Sequence, residues 1–275
     1  MHTCEQERLI VTAETFSLNV AQLGESGETV VFLHGLFGQG KNFTQIAKAL
    51  SPELRSVLLD LPNHGASDWT QRFDYVEQAD MVADHLRRTV ASEAPVHLVG
   101  HSMGGKVAMV LALRHPELIS RLAVVDISPV ARESMGEFDH LISSLSRLDL
   151  AGLSSRGEAD ELLQEPIPER MVRGFLLQSL ARDGEGFRWR VNLDLLHESL
   201  PQIGGFPEFT DETFEGPVLW IAGAESDYVQ DDFAPAMRAL FPRVSLTTIK
   251  DAGHWVHAEK PEVFSAVLKA FFTAD

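Results

Sequence analysis

A single cysteine, Cys4, in 275 residues excludes an internal disulfide, and its place near the start of the chain is a poor one for a catalytic thiol. No apolar run approaches the ~20 residues that a membrane span needs. The opening Met-His-Thr-Cys-Glu-Gln-Glu-Arg is too polar and acidic for a signal peptide, so a cytoplasmic protein without a membrane partner is expected. Positive charge is scarce, with Lys+Arg 23 against Asp+Glu 40 and a formal net charge of −17. A field of that sign repels polynucleotides and anionic lipid at long range, so no nucleic-acid partner is expected either. The zinc motif His-Glu-x-x-His does not occur, and His254 and His257 have no third ligand at a suitable spacing, so neither a metal nor another cofactor is expected. Internal repeats, low-complexity tracts and linkers are also missing. What remains is an ordinary globular composition, 44% hydrophobic and ample for a large core.

The hydrophobic pattern alternates buried strands with helices. Arg8 to Thr12 and Phe16 to Gln22 read as an antiparallel edge pair. Continuous apolar runs follow at Thr29 to Leu33, Ser56 to Asp60, Val96 to Val99, Leu122 to Asp126, Pro217 to Ala222 and Val244 to Ile249. Helical patterns separate them, including one from an Asn42 N-cap to Leu50, one over Tyr75 to Val90 and a last one over Pro261 to Phe272. Residues 131–215 instead show helical periodicity with no convincing strand. The expectation is one α/β domain: a mostly parallel, eight-stranded sheet flanked by helices, formed by residues 1–130 and 216–275, with a helical cap of residues 131–215 grown from one connection. A cap over the strand ends forms a pocket where such sheets place their ligands.

The chemistry centres on Gly100-His101-Ser102-Met103-Gly104, set between the strand at Val96 to Val99 and a helical pattern from Met103 to Arg114. In this G-x-S-x-G context the serine sits on a sharp strand-to-helix turn, and small neighbours let the two elements approach. The helix beginning near Met103 aims free N–H groups at an oxyanion formed beside Ser102. A serine hydroxyl needs a base held in one tautomer by an acid. His254, in a glycine loop after the last strand, is the expected base, whereas His34, His64 and His101 each lie beside a glycine in a tight turn and read as structural. Two acids compete. Asp126 lies at the tip of the strand before the cap and keeps the chain order Ser102, Asp126, His254; Asp227 follows the strand after the cap but is one residue off the usual position, which Ser226 occupies. Asp126 is preferred.

Five segments together, His34-Gly35-Leu36-Phe37-Gly38, Asn63-His64-Gly65, Gly100 to Lys106, Val125-Asp126-Ile127-Ser128-Pro129 and Gly253 to Pro261, resemble the α/β-hydrolase superfamily and, within it, the YbfF-type esterases. The similarity spans nearly the whole chain. It implies the α/β-hydrolase fold, a Ser-Asp-His triad with the acid on the strand before the cap, and action on acyl esters and acyl-CoA thioesters. It also implies an oxyanion hole made by the main-chain N–H groups of Leu36 and Met103. Phe37, Met103 and Trp255 are then expected to bind substrate on its acyl side, with Phe175 to Leu180 and Trp189 of the cap. Lys106 is expected to be solvated or salt-bridged. One departure is Leu61-Pro62 ahead of Asn63, where relatives usually carry an arginine.

The expected activity is serine-dependent hydrolysis of esters or thioesters with short to medium acyl chains, through an acyl-enzyme on Ser102, by a monomer or small homo-oligomer. An acyltransferase using an alcohol, a carbon–carbon bond hydrolase and a non-catalytic small-molecule receptor are the competing readings. For the carbon–carbon hydrolase, six cap arginines (Arg132, Arg170, Arg173, Arg182, Arg188 and Arg190) are candidates for the basic residue such enzymes usually carry.

Overall fold

The computed structural model describes residues 16–132 and 134–274. Nine strands occur among them: β1 (Val20–Leu23), β2 (Glu28–Leu33), β3 (Leu54–Leu59), β4 (Val96–His101), β5 (Ile119–Val125), β6 (Leu180–Asp183), β7 (Gly186–Trp189), β8 (Val218–Gly223) and β9 (Val244–Ile249). Seven of them form one sheet in the order β1-β3-β2-β4-β5-β8-β9. Every pairing in it is parallel except that of β1 with β3. Seven of the eight expected sheet strands are thus present; the other, Arg8 to Thr12, lies outside the described residues, as does Cys4. The antiparallel partner of β1 is β3.

The apolar runs are continuous because helices cover both faces of the sheet. Val31, Leu33, Val57, Leu59, Leu98 and Leu122 pack against the helices Tyr75–Arg88 and Met103–Arg114. Val30, Phe32, Leu58, Val99, Ala123 and Ile221 face the opposite way, onto Thr44–Leu50 and Pro261–Phe272. Neighbours in sequence therefore serve opposite cores, as the two-residue period of a strand requires. Each of these valine, leucine, isoleucine and phenylalanine side chains, fully buried, contributes about 1.5–3 kcal/mol. Among the described residues no helix is long and apolar enough to cross a membrane.

Two local expectations need correction. The helix ending at Leu50 is preceded by a 3₁₀ turn, Gly40–Phe43, whose N-cap is Gln39 and not Asn42. Asn42 is the third residue of that turn, and its side chain accepts from the Gln39 N–H at 2.6 Å, so the amide chemistry of a cap is present but works backwards along the chain. The segment between β5 and β8 is also not purely helical: β6 and β7 form a hairpin in register from Leu180↔Trp189 to Asp183↔Gly186. Four-residue strands are too short for alternation to stand out, and Gly184, at φ 59, closes the hairpin. The α-helix that precedes the hairpin, Arg170–Leu176, accordingly stops short of it.

The cap segment is tied to the core by polar contacts, the first of them buried. Tyr75 donates its hydroxyl to the Ile203 carbonyl at 2.7 Å, the Asn192 N–H donates to the Asn63 carbonyl at 2.9 Å, and Asn42 Nδ2 donates to Gln178 Oε1 at 2.8 Å. The loop after β3 is anchored by Asn63: its side chain accepts from the Thr70 N–H and donates to Thr70 Oγ1.

Candidate active site

Ser102 lies between the last residue of β4 and the first of the helix Met103–Arg114, with φ 52 and ψ −122. That backbone is strained for a residue with a Cβ and persists only because close packing on both sides holds it. A Cβ on Gly100 would stand 2.3 Å from the Gly104 carbonyl oxygen, and one on Gly104 would stand 2.4 Å from that of His34. The helix N-terminus is thus pressed against the end of β2, which brings the Met103 amide beside the loop carrying Leu36. Among the described residues neither the Met103 nor the Leu36 N–H donates to a protein acceptor. Both amides are therefore free to donate to a group beside the serine hydroxyl.

The structure brings Ser102, His254 and Asp126 together. His254 Nε2 is 3.0 Å from Ser102 Oγ, and its Nδ1 is 2.8 Å from Asp126 Oδ2. Asp126 is fully buried at φ 49, where the chain turns out of β5. Its other oxygen accepts from the Gly223 N–H at 2.8 Å, and Oδ2 also accepts from the Ser226 hydroxyl. Asp227 does not take part; its side chain is 70% exposed and faces Arg132 at 3.5 Å. Ser226 was legible only as the residue at the position where an acid is common. A hydroxyl there completes the hydrogen bonds of a carboxylate supplied from the neighbouring strand.

His34, His64, His101 and His257 are buried. His34 Nδ1 donates to the Gly35 carbonyl, leaving Nε2 to accept from the Leu61 N–H at 2.9 Å. His64 repeats the scheme: Nδ1 donates to the Pro62 carbonyl and Nε2 accepts from the Phe37 N–H at 3.2 Å. Both rings must be neutral to accept, and together they hold the loop that presents Leu36. Burial pushes His64 and His257 down to about 3, and lowers His34 and His101 as well. A depressed histidine binds its proton later than in the unfolded chain, so its stabilising effect is complete above pH 6.5 and is lost as pH falls toward about 3. At pH 5 each of His64 and His257 is expected to cost about 2 kcal/mol of stability relative to neutral pH. Melting curves at pH 7 and pH 5 should therefore differ by about 8 °C or more, at about 2–4 °C per kcal/mol for a chain of this size. A melting temperature that is flat or rising on acidification would remove this account.

Two cavities meet at Ser102 and share Leu36, Phe138 and Tyr228. The first, about 30 Å³, runs past Met103 toward Tyr75, Lys106, Ile127 and Arg132. The second, about 90 Å³, contains His254, Phe37, Trp255, Phe175 and Leu141. Phe37, Phe175, Leu176 and Trp255 line the second cavity and Met103 the first, whereas Leu177 to Leu180 and Trp189 line neither. Lys106 is neither solvated nor salt-bridged. It is 2% exposed, and Nζ donates to the carbonyls of Gly204 and Gly205 at 2.7 and 2.6 Å, fastening the cap to the helix one turn beyond Ser102. Burial lowers its pKa to about 8. Of the cap arginines, Arg132 reaches the site: its guanidinium lies 4.1 Å above the Tyr228 ring, which stacks on His254 at 3.9 Å. That stack fixes the plane of the imidazole. Arg173 instead pairs with Asp160 at 2.9 Å inside the cap.

A nucleophile elbow on a parallel sheet with an acid and a histidine on later strand ends defines an α/β hydrolase, and residues 30–267 match the model of the Alpha/beta hydrolase family. The chain belongs to that family. It is 39% identical over 244 residues to an sn-1-specific diacylglycerol lipase, ABHD11, of Xenopus tropicalis, covering 86% of this chain and 76% of the relative. It is 32% identical over 250 residues to Esterase YbfF of Escherichia coli K12, covering 91% and 94%. The solved structure of a marine microorganism esterase superposes with a TM-score of 0.90 at 31% identity, over 93% of this chain and 99% of that one. Fold, family and relatives make the protein a hydrolase of the ester-cleaving class.

Proposed function

We propose that the protein is a serine esterase acting on a small acyl ester or thioester through an acyl-enzyme on Ser102. The observation that carries this is the continuous chain Ser102 Oγ, His254, Asp126, with contacts of 3.0 and 2.8 Å, opening onto a cavity beside two free amides. Ser102 Oγ attacks the carbonyl carbon as its proton passes to His254 Nε2, and the Leu36 and Met103 N–H groups receive the negative oxygen. His254 then gives that proton to the departing alcohol or thiol. Water repeats the sequence: its proton goes to His254, its oxygen bonds the acyl carbon, and Ser102 leaves with the proton returned. Asp126, held by Gly223 and Ser226, keeps the proton on His254 Nδ1 and balances the imidazolium. Preorganised donors of this kind are worth about 2.7–4 kcal/mol of barrier each.

The test is hydrolysis of p-nitrophenyl esters together with labelling by a fluorophosphonate probe. The expected result is turnover of the esters and a single probe adduct on Ser102. A chain that neither turns over any ester of the series nor reacts with the probe contradicts the proposal. Added alcohol separates water from another acceptor: ester product above the hydrolysis background marks acyl transfer.

A further inference from the structure

The two cavities at Ser102 differ in which catalytic atom they contain. A tetrahedral intermediate on Ser102 directs its oxyanion to the Leu36 and Met103 amides, and its leaving oxygen must lie within reach of His254 Nε2, the atom that protonates it. His254 borders the second cavity and not the first. The leaving group therefore extends into the arm of His254, Trp255 and Phe175, and the acyl chain takes the smaller arm past Met103.

Val172, Phe175 and Trp255 line this second cavity on one side and, on the other, an outer groove of about 390 Å³ between the cap and the core. The groove continues past Gly174, Met171 and Gln178, and Met171 is 60% exposed there. The rings of Phe175 and Trp255 stand 6.1 Å apart, centre to centre, and form the partition. An inner cavity of about 90 Å³ accommodates a short leaving group, and only the partition separates it from space for a long apolar one.

Resting on the esterase reading above, we infer that the His254 arm binds the alcohol portion of the ester and that the Phe175–Trp255 partition sets its permitted length. The substrate class is an ester with a short acyl group and a short apolar alcohol. Removing the partition admits an alkyl chain into the outer groove.

The test is kcat/KM across two series, acetates of rising alcohol length from ethyl to decyl and ethyl esters of rising acyl length. For the wild type, kcat/KM falls beyond the short alcohols. Phe175→Ala is expected to raise the ratio of octyl to ethyl acetate by about tenfold or more, a change on the scale of one or two methylenes in an apolar pocket. The acyl-length profile keeps its shape. Gly174 supplies a second variant: a Cβ built there meets nothing within 4 Å, so Gly174→Phe fills the groove without disturbing the helix Arg170–Leu176. In the Phe175→Ala background, Gly174→Phe should reverse the gain. If Phe175→Ala does not fold, Val172→Ala opens the same wall. An unchanged alcohol profile in the folded variant overturns the inference, and so does a shift confined to the acyl series. Either result leaves the esterase reading standing if Ser102→Ala abolishes ethyl acetate hydrolysis. Ethyl acetate turnover that survives Ser102→Ala overturns that reading instead.

Discussion

Ser102→Ala is expected to lower kcat for a p-nitrophenyl ester by at least about 10⁴ while leaving the melting temperature nearly unchanged. The hydroxyl is the only atom in the site positioned both to attack a carbonyl and to pass its proton to His254, at 3.0 Å. Without it, His254 and Asp126 have no nucleophile to activate. On the proposed mechanism the two amides remain, so a residue of catalysis over water is expected to survive. Stability is spared because alanine tolerates φ 52 as well as serine does, and because His254 is the single partner of the side chain among the described residues. The change should also abolish fluorophosphonate labelling. Turnover within tenfold of the wild type would refute Ser102 as nucleophile.

The second large effect concerns the acid. Asp126→Asn is expected to reduce turnover by about 10⁴, the order found when the acid of a serine triad loses its charge. The hydrogen bonds around Asp126 say why. Its Oδ1 accepts from the Gly223 N–H, which obliges an asparagine there to keep its carbonyl oxygen on that side. The amide nitrogen then faces His254 Nδ1, which must accept, and the ring proton moves to Nε2, where it cannot take the proton of Ser102. Asp227→Asn serves as the comparison. That side chain is 70% exposed and pairs only with Arg132, at the weak end of surface ion pairs, so its loss should leave kcat within about twofold. Loss of turnover in Asp227→Asn with activity retained in Asp126→Asn reverses the assignment.

Much of the site was legible before any coordinates because it depends on local backbone geometry. Gly100 and Gly104 flank Ser102 since neither position has room for a Cβ, and that demand appears directly as a motif. The glycine turn holding His254 and the buried strand ending at Asp126 were readable for the same reason. Other features gave no such signal. Lys106 on a helix reads as a surface charge until Gly204 and Gly205, ~100 residues later in the chain, place two carbonyls over it. Tyr228 looks like a loop aromatic until it stacks on His254.

The division has a physical origin. The sequence by itself determined the alternation of strands and helices, the elbow at Ser102 and the late histidine, because each follows from periodicity, turn chemistry or steric demand within a few residues. Only the tertiary structure decided that Asp126 and not Asp227 meets His254, that Ser226 completes the carboxylate, that the cap contains a hairpin, and that Phe175 and Trp255 wall off the groove. These depend on sheet register and on how the cap seats, contacts made between segments far apart in the chain. Packing of the whole core chooses such contacts, and no short stretch of sequence records them.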